Sequence, residues 1–355
     1  MTDPVRLGVL GLHNHYHAFP MADYITRGID GVELVSVYDP RQAYAADYAR
    51  QFGIGAVAGS RAELLADSSL DGVLVMSYTA AHRDDVLACA AAGKHVLLDK
   101  PIAMTVAEAD AMVKAADKAG VVFMLAYHVR YLPAYQKVRE MIANGVIGRP
   151  LTMKMSIRCP LQYVTDTPTS KTPGWYVDPK LAGGGGFLDH AVHYTDAMRY
   201  LLGSEGRTVY GKIARLTDHK IDLDDYGVCV ITTDKSEIVT IESTWHAADW
   251  YSPMASPEEC LIVGTLGEIH VHHQKSPQLE VSGRGIAGRQ YFDWKGDDRQ
   301  MISYRNLVIE FARAIRARVR PGVDGRDGLK ALAIIEAAHA SSALRREVSI
   351  METGV

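Results

Sequence analysis

The sequence predicts an α/β fold: an N-terminal Rossmann doubly wound domain followed by an α+β domain with an open, mostly antiparallel sheet. In the first third of the chain, continuous apolar runs of strand length alternate with helical patterns. Beyond Pro150 the pattern changes to strands of alternating polarity. The 355 residues exceed what one small core needs, so we place one domain at residues 1–127 and a second at residues 128–355.

Five apolar runs define the strands of the first domain: residues 6–10, 32–38, 72–76, 95–98 and 121–126. Helical patterns lie between them, for example over residues 42–52 and 106–119. Each of these two ends before a glycine, Gly53 or Gly120, as helix C-termini often do. Parallel strands are apolar on both faces when helices cover both sides of their sheet. The alternation therefore predicts a doubly wound parallel sheet.

The second domain contains six strand candidates: residues 151–158, 208–216, 226–232, 237–244, 259–263 and 268–272. One helix is predicted over residues 187–202, directly behind a run of glycines at 183–186. Two more helices, over residues 306–319 and 328–344, follow near the end of the chain. This order predicts a mostly antiparallel sheet with helices packed against it.

Composition excludes several function classes. The net charge of -4 and the pI near 6.4 provide no basic surface for nucleic acid. No apolar stretch reaches membrane-spanning length, and the N-terminus lacks the basic region and cleavage site of a secretory signal. The four cysteines are scattered without a CxxC pair, so we expect no metal site of that type. We expect a cytoplasmic protein that binds neither nucleic acid nor membrane.

The loop after the first strand is a partial dinucleotide fingerprint. Gly11 can serve as the first glycine of GxGxxG, but His13 and Tyr16 occupy the other two glycine positions. A side chain at position 13 crowds the place where backbone approaches a pyrophosphate. The loop still lies at the carboxyl end of the first strand, beside the expected ligand crevice. We therefore predict cofactor contacts from five consecutive residues, Gly11, Leu12, His13, Asn14 and His15.

Asp39 strengthens the cofactor prediction. It follows the second strand, where a carboxylate can accept hydrogen bonds from the diol of an adenine ribose. It can also begin an Asx turn with Pro40, and the two roles are compatible. A carboxylate there would repel a 2′-phosphate, which favours NAD, although nearby Arg41 keeps NADP open.

Two histidine clusters raise the question of a metal site. Histidines at 13, 15 and 17 alternate, so in an extended segment they would point the same way. Polar contacts with cofactor or substrate explain them without a metal, and so does a solvent-exposed loop. The second cluster, at 270, 272 and 273, is typical of a surface strand. We predict no metal ligands.

Three motifs resemble the glucose-fructose oxidoreductase, inositol dehydrogenase and MocA family. Residues 93–101, GKHVLLDKP, are similar to its G-K-H-V-x-x-E-K-P motif, with Asp99 in place of glutamate. Residues 77–82 occupy its T-P-x-x-x-H stretch, with Tyr78 in place of proline. Residues 184–193, GGGFLDHAVH, resemble its G-G-G-x-x-x-D-x-x-x-H motif. Similarity at residues 130–133 and 145–150, and at Trp175, extends the resemblance over nearly the whole chain.

The resemblance implies NAD as cofactor and a small carbohydrate or polyol as substrate. It also implies an outer sheet face in the second domain that builds a homodimer or homotetramer. The family's catalytic lysine, aspartate and histidine correspond to Lys100, Asp189 and His193. Further cofactor contacts are implied at Ser77, Tyr78, His82, Asp99 and Lys100.

The residue types agree with hydride-transfer chemistry. Asp189 and His193 are four residues apart, so a helix presents both on one face. Histidine is the best-matched acid or base near neutrality, and Lys100 can stabilise alkoxide character on the substrate oxygen. The pair could instead cap a helix and fill its core. Candidate substrate contacts are Tyr127, His128, Arg158, Tyr163, Trp175, Asp189, His190, His193 and His246.

Three functions fit these residues. The first is an NAD(P)-dependent oxidoreductase that transfers a hydride between nicotinamide and a carbinol carbon of a sugar, cyclitol or sugar derivative. The second is a redox-neutral glycosidase or lyase, in which tightly held NAD oxidises a glycoside, permits elimination and is then regenerated. The third, suggested by the missing loop glycines, is a sugar-binding protein without catalysis.

Overall fold

A computed structural model describes residues 3–161, 174–218, 220–246, 259–272, 276–294 and 302–350. Its first sheet has six parallel strands: β1 (Val5–Leu10), β2 (Val32–Tyr38), β3 (Ala56–Val57), β4 (Gly72–Val75), β5 (His95–Leu98) and β6 (Phe123–Leu125). Their order is β3-β2-β1-β4-β5-β6, so the predicted Rossmann fold is confirmed. The order reverses between β1 and β4, where a doubly wound sheet opens its ligand crevice. Strand β3 was not predicted, because its two exposed residues form no apolar run.

Helices connect these strands: α1 (His15–Gly28), α2 (Gln42–Phe52), α3 (Arg61–Ala66), α4 (Thr79–Ala91) and α5 (Val106–Ala119). The predicted ends of α2 and α5 are confirmed, since Gly53 (φ 65°) and Gly120 (φ 67°) take the left-handed conformation there. The Thr105 hydroxyl accepts a hydrogen bond from the backbone N–H of Glu108 and so caps the start of α5. A short turn of 3-10 helix, His128–Tyr131, and α6 (Pro133–Ala143) lead to the second sheet.

The second sheet has nine strands: β7 (Pro150–Arg158), β8 (Gly206–Ala214), β9 (Tyr226–Thr233), β10 (Ile238–Thr244), β11 (Glu259–Gly264), β12 (Glu268–His272), β13 (Leu279–Ser282), β14 (Gln290–Phe292) and β15 (Val348–Ser349). Their order is β14-β13-β12-β11-β7-β10-β9-β8-β15, and among these described strands only β7 and β10 pair in parallel. The prediction of an open, mostly antiparallel sheet is confirmed. The three strands it omits, β13 to β15, are two to four residues long.

The later helices are α7 (Pro179–Ala182), α8 (Gly186–Leu202), α9 (Ile302–Ala317) and α10 (Gly325–Leu344). Helix α10 begins before the predicted residue 328 because Asp324 and Asp327 form a reciprocal capping box. Helix α8 packs on β7, β9 and β10, and α10 packs on β8. These contacts cover one face of the second sheet over β7 to β10. No described helix is long and apolar enough to cross a membrane.

The two C-terminal helices also contact the first domain. Helix α9 packs on α1 and β1, and α10 packs on α5 and β6. Residues after 128 therefore support both sheets, and the division at residues 127 and 128 stays a prediction.

Candidate active site

Lys100 joins the two domains at the crevice. It follows β5 and is buried, and its ammonium group reaches the first turn of α8. The Nζ donates to the Tyr176 hydroxyl at 2.7 Å, and to the Asp189 Oδ1 and the Asp189 carbonyl oxygen at 2.9 Å each. The structure thus brings together Lys100 and Asp189, two of the three predicted catalytic residues.

Asp189 is an ionised carboxylate surrounded by donors. The Tyr176 hydroxyl donates to Oδ1, and the indole N–H of Trp245 donates to Oδ2 at 3.0 Å. The His190 Nδ1 lies 3.1 Å from Oδ2. Burial raises the pKa of Asp189, but His190 and Lys100 outweigh it and hold the pKa well below the ordinary value. The negative charge of Asp189 therefore persists at neutral pH.

His193 lies one turn later on α8 and is buried. Burial lowers the pKa of its imidazole well below the ordinary value, and the neighbouring His128 and Lys100 lower it further. Its Nδ1 has no hydrogen-bond partner among the described residues. Because a neutral imidazole with an unpartnered nitrogen can accept a proton, His193 is suited to act as a base.

Close packing explains the glycines ahead of α8. A Cβ on Gly185 would lie 2.2 Å from the Asp224 carbonyl oxygen. The Asp224 carboxylate then accepts a hydrogen bond from the Phe187 N–H at 2.8 Å, at the helix start. The glycine run lets residues 224–225 approach closely, and this fixes the direction of Asp189.

The glycine loop retains features that fit a dinucleotide. A Cβ on Gly11 (φ 79°) would lie 2.8 Å from the Ser77 backbone, so glycine is required there. The Leu12 N–H donates to the Asp39 Oδ2 at 2.7 Å. Asn14 is fully buried, and neither side-chain polar atom has a partner among the described residues. An unpaired buried amide beside the start of α1 fits a loop whose partner is a ligand.

A groove of about 530 Å³ lies beside Asp39 and is lined by its neighbours Tyr38 and Pro40, while Asp39 itself is completely buried. Arg41 donates to both carboxylate oxygens of Asp39, at 2.8 and 3.0 Å. Burial raises the pKa of Asp39, but Arg41 more than offsets this and the pKa is lowered. The lining also includes Gly11, His13, Ser77 and Tyr78, all predicted cofactor contacts.

Two predicted cofactor contacts are turned away from the groove. Both ring nitrogens of His82 lie near backbone oxygens, 2.8 Å from that of Pro101 and 3.0 Å from that of Ser77. His82 therefore fastens two loops together. Asp99 is completely buried, and its Oδ1 lies 2.6 Å from the Nδ1 of His17. The sequence did not indicate that His82 and Asp99 turn away from the groove, because their hydrogen-bond partners belong to separate loops. His15, at the start of α1, is partly exposed.

The predicted substrate contacts separate into two groups. Tyr127, His128 and His190 surround His193, with ring centroids 5.7, 4.9 and 6.4 Å from its own. Trp175 contacts the glycine loop instead, since its indole N–H donates to the His13 carbonyl at 2.9 Å.

Two of the remaining candidates lie away from His193. Arg158 is exposed on the far face of β7, because side chains alternate along a strand and Ile157 and Cys159 face inward. The His246 ring stacks on Tyr226, and its Nε2 lies 3.3 Å from an Asp225 oxygen. Tyr163 lies outside the described residues.

Three contributors to the site were not predicted. Tyr176 and Trp245 both bind the Asp189 carboxylate, and His17 binds Asp99. Tyr176 and Trp245 adjoin the candidates Trp175 and His246, so the right segments were identified but not the right side chains. The alternating histidines were the only sign of His17.

Two groups of the described residues have donor atoms spaced as a metal ion requires. The first, Cys159, Asp189 and His190, includes a carboxylate already bound by Lys100 and Trp245. The second, Glu259, His270 and His272, lies on the second sheet, where the Nε2 of His272 lies 3.0 Å from a Glu280 oxygen. The absence of a metal from the catalytic site stays a prediction.

Comparison with known proteins identifies both domains. A family model described as an oxidoreductase family with an NAD-binding Rossmann fold matches residues 5–127. The GFO/IDH/MocA C-terminal domain matches residues 135–270. Together these two models cover more than half of the chain.

Individual relatives agree with this assignment. Myo-inositol 2-dehydrogenase of Thermotoga maritima is 27% identical, over 98% of this chain and 99% of the relative. D-glucoside 3-dehydrogenase of Escherichia coli is 31% identical, over 57% and 55% respectively. A probable dehydrogenase structure from Thermotoga maritima superposes with a TM-score of 0.81 at 26% identity, over 98% and 99% of the chains. The structure of levoglucosan dehydrogenase in complex with NADH has the same fold. It superposes with a TM-score of 0.86 at 21% identity, over 98% of this chain and 99% of that one. The chain thus belongs to the Gfo/Idh/MocA family of oxidoreductases, and its first domain is the NAD-binding Rossmann domain of that family.

Proposed function

We propose that this protein is an NAD-dependent dehydrogenase that oxidises a secondary hydroxyl of a sugar, a cyclitol or a sugar derivative. One observation supports the proposal: Lys100, at the carboxyl end of β5, is hydrogen-bonded to Asp189, and His193 lies buried one turn later on α8. The names of the relatives, inositol 2-dehydrogenase and glucoside 3-dehydrogenase, support a polyhydroxylated substrate.

Oxidation of the hydroxyl removes one proton and one hydride from the substrate, and each side chain has a separate role in this step. Bound NAD⁺ supplies the hydride acceptor. His193 takes the hydroxyl proton on its free imidazole nitrogen. The Lys100 ammonium stabilises the negative charge that develops on the substrate oxygen. Asp189 holds Lys100 in place, because it accepts a hydrogen bond from Nζ at 2.9 Å.

The first-domain residues would hold the dinucleotide. Asn14 and the start of α1 would face the pyrophosphate, and Asp39 would accept from the adenine ribose diol. Arg41 already neutralises Asp39, so a ribose must share that carboxylate with a guanidinium. A 2′-phosphate would meet the same carboxylate, and we therefore expect NAD to bind more tightly than NADP.

A substrate panel tests this function. Inositols, aldoses, alkyl glycosides and anhydrosugars are incubated with NAD or NADP, while NADH absorbance and products are both followed. We expect steady NADH formation with at least one free polyol, and none with Lys100→Met. Release of an aglycone without net NADH would favour the redox-neutral alternative. Absence of NAD binding by calorimetry would favour a sugar-binding protein.

Copies of this chain associate through the outer face of the second sheet as a homodimer or homotetramer. The face opposite α8 exposes large apolar side chains in neighbouring strands, among them Tyr210, Val230 and Ile238. Uncovered apolar patches of this kind mark association surfaces. Light scattering should give a mass of two or four chains, and Tyr210→Lys combined with Val230→Lys should reduce it. A monomeric parent protein would contradict this proposal.

A further inference from the structure

Two histidines and a glutamate meet on one face of the second sheet. His270 and His272 alternate along β12, so both side chains project from the same face of the strand. Glu259 on β11 lies directly across from His272. Ile269 and Val271, the alternate residues of β12, are buried on the opposite face. The strand register therefore places the three polar side chains together on the face turned away from the core.

The donor atoms of these three residues are close enough to share one ion. One nitrogen of each histidine and one carboxylate oxygen of Glu259 all lie within 4.8 Å of one another. The centroids of the two imidazole rings are 3.9 Å apart. Zn²⁺ bonds to such atoms at about 2.0–2.2 Å, and in a tetrahedral site its ligand atoms are about 3.4 Å apart. Small side-chain rotations on a fixed backbone therefore suffice to form the site.

His272 is held in the orientation that a metal ligand needs. Its Nε2 lies 3.0 Å from a carboxylate oxygen of Glu280 on β13. An ionised carboxylate only accepts hydrogen bonds, so Nε2 carries the proton and the lone pair remains on Nδ1. This Nδ1 is buried and has no hydrogen-bond partner among the described residues. A carboxylate that orients a histidine in this way is the usual support of a metal-binding imidazole.

The nearest cation is already engaged by carboxylates. Arg289 donates to Glu280 at 3.1 Å and to Glu268 at 2.8 Å. The guanidinium therefore fixes Glu280, which in turn fixes His272, and two carboxylates offset its positive charge. The arrangement leaves the charge of Glu259 to balance an ion bound between β11 and β12.

We propose that Glu259, His270 and His272 bind one Zn²⁺ ion per chain. Two imidazole nitrogens and one carboxylate oxygen form a ligand set that Zn²⁺ takes, whereas Mg²⁺ and Ca²⁺ prefer oxygen ligands alone. Water completes the four-coordinate shell. The ion would link β11 to β12, and its binding requires no part of the proposed dehydrogenase chemistry. We therefore set aside the expectation that the chain has no metal ligands.

Calorimetric titration with Zn²⁺ tests the site in the full chain, without an affinity tag and after dialysis against a chelator. We expect one tightly bound ion per chain. His270→Gln and His272→Gln should each weaken binding by more than about a hundredfold, because losing a ligand costs more than losing the residue that orients it. Co²⁺ provides a second readout, since its visible absorption reports four-coordination, and this absorption should be absent from both variants.

Glu280→Gln tests the support of His272 separately. It keeps the size of the side chain but removes the charge that orients the imidazole, so we expect binding to weaken by about tenfold to hundredfold. Saturating Zn²⁺ should also raise the Tm of the parent protein, because the ion binds the folded state. It should leave the Tm of His270→Gln unchanged.

Cys159→Ser is the matched control, because Cys159 belongs to the other group of donor atoms, beside Asp189. This variant should bind one Zn²⁺ ion with the parent affinity. Loss of binding in Cys159→Ser, with binding retained in both histidine variants, would place the ion at that other group and overturn the proposal. Failure of the parent protein to bind Zn²⁺ would overturn it as well. If a histidine variant does not fold, judged by its Tm without metal, Glu259→Gln receives the same measurements.

Discussion

The two halves of helix α8 use buried charge in opposite ways. In the first half, Asp189 and His193 face the crevice, and one nitrogen of His193 has no partner among the described residues. In the second half, Asp196 accepts two hydrogen bonds from Arg130, and Arg199 binds Asp327 at 2.9 Å. Arg199 also donates to Glu205 at 2.6 Å. The second cluster is satisfied within the protein, whereas the first retains capacity for a ligand.

This difference distinguishes a structural charge cluster from the predicted catalytic one. Burial is similar in both, so burial alone does not identify a site. What differs is the remaining hydrogen-bond capacity. A closed network joins the 128–131 turn, α8 and α10, and removing one member leaves an uncompensated charge. An open cluster loses function when a member is removed, because the transition state loses a partner.

The largest expected effect is on turnover. Lys100→Met removes the cation and keeps most of the side-chain volume, so we expect kcat to fall by about a thousandfold. Asp189 keeps its donors Tyr176 and Trp245, and Tm should therefore change by only a few degrees. Steady-state kinetics and thermal unfolding on the same sample measure both. A large drop in Tm with kcat preserved would mean that the charges in the first half of α8 serve stability, and would contradict the distinction between the two halves.

Asp196→Asn should show the opposite behaviour. It removes the carboxylate hydrogen-bonded to the buried Arg130 and leaves only Asp327, at 3.4 Å, so we expect a loss of about 3–5 kcal/mol in the free energy of unfolding. The kcat per folded molecule should stay near the parent value. Urea unfolding measures the stability, with Asp47→Asn in the exposed pair with Arg50 as the control. Equal losses in the two variants would contradict the closed network.

The lowered pKa of His193, in the first half of α8, predicts that the free energy of unfolding depends on pH. Below about pH 6.5 an unfolded histidine binds a proton, but burial, His128 and Lys100 oppose this in the folded protein. The unfolded state therefore gains protons first, so this contribution to stability is complete above pH 6.5 and is lost as the pH falls below it. Urea titrations at several pH values across this range should show that the free energy of unfolding falls less steeply with decreasing pH in His193→Gln than in the parent protein. Identical slopes would mean that His193 titrates normally.

The smallest effect concerns the glycine loop. The His13 Nδ1 lies 3.8 Å from Asp39, and its ring packs edge-on against Tyr78 at 4.9 Å. The side chain thus lines the groove predicted to hold the cofactor, and we expect His13→Gly to weaken NAD binding by about threefold to tenfold. Calorimetric titration measures this, with His95→Gln as the control. Tighter binding in the variant would identify His13 as an obstruction.

Local signals in the sequence determined the fold and the predicted catalytic residues. Continuous apolar runs indicate buried parallel strands, and Gly53 and Gly120 end helices because a left-handed residue is needed there. Asp189 and His193 share a face because the helical period places residues four apart together. Each of these depends on neighbours within a few residues or on a contiguous motif.

Only the tertiary structure decided which side chains complete the site. Tyr176 and Trp245 bind Asp189 from separate segments, and His17 pairs with Asp99 across 82 positions of sequence. The outward direction of Arg158 depends on strand register, since a shift of one residue would turn it inward. Such contacts form when distant segments pack together, and no local period encodes them. Packing also decided that the first half of α8 faces the open crevice, whereas the second half is enclosed by α10 and the turn at 128–131.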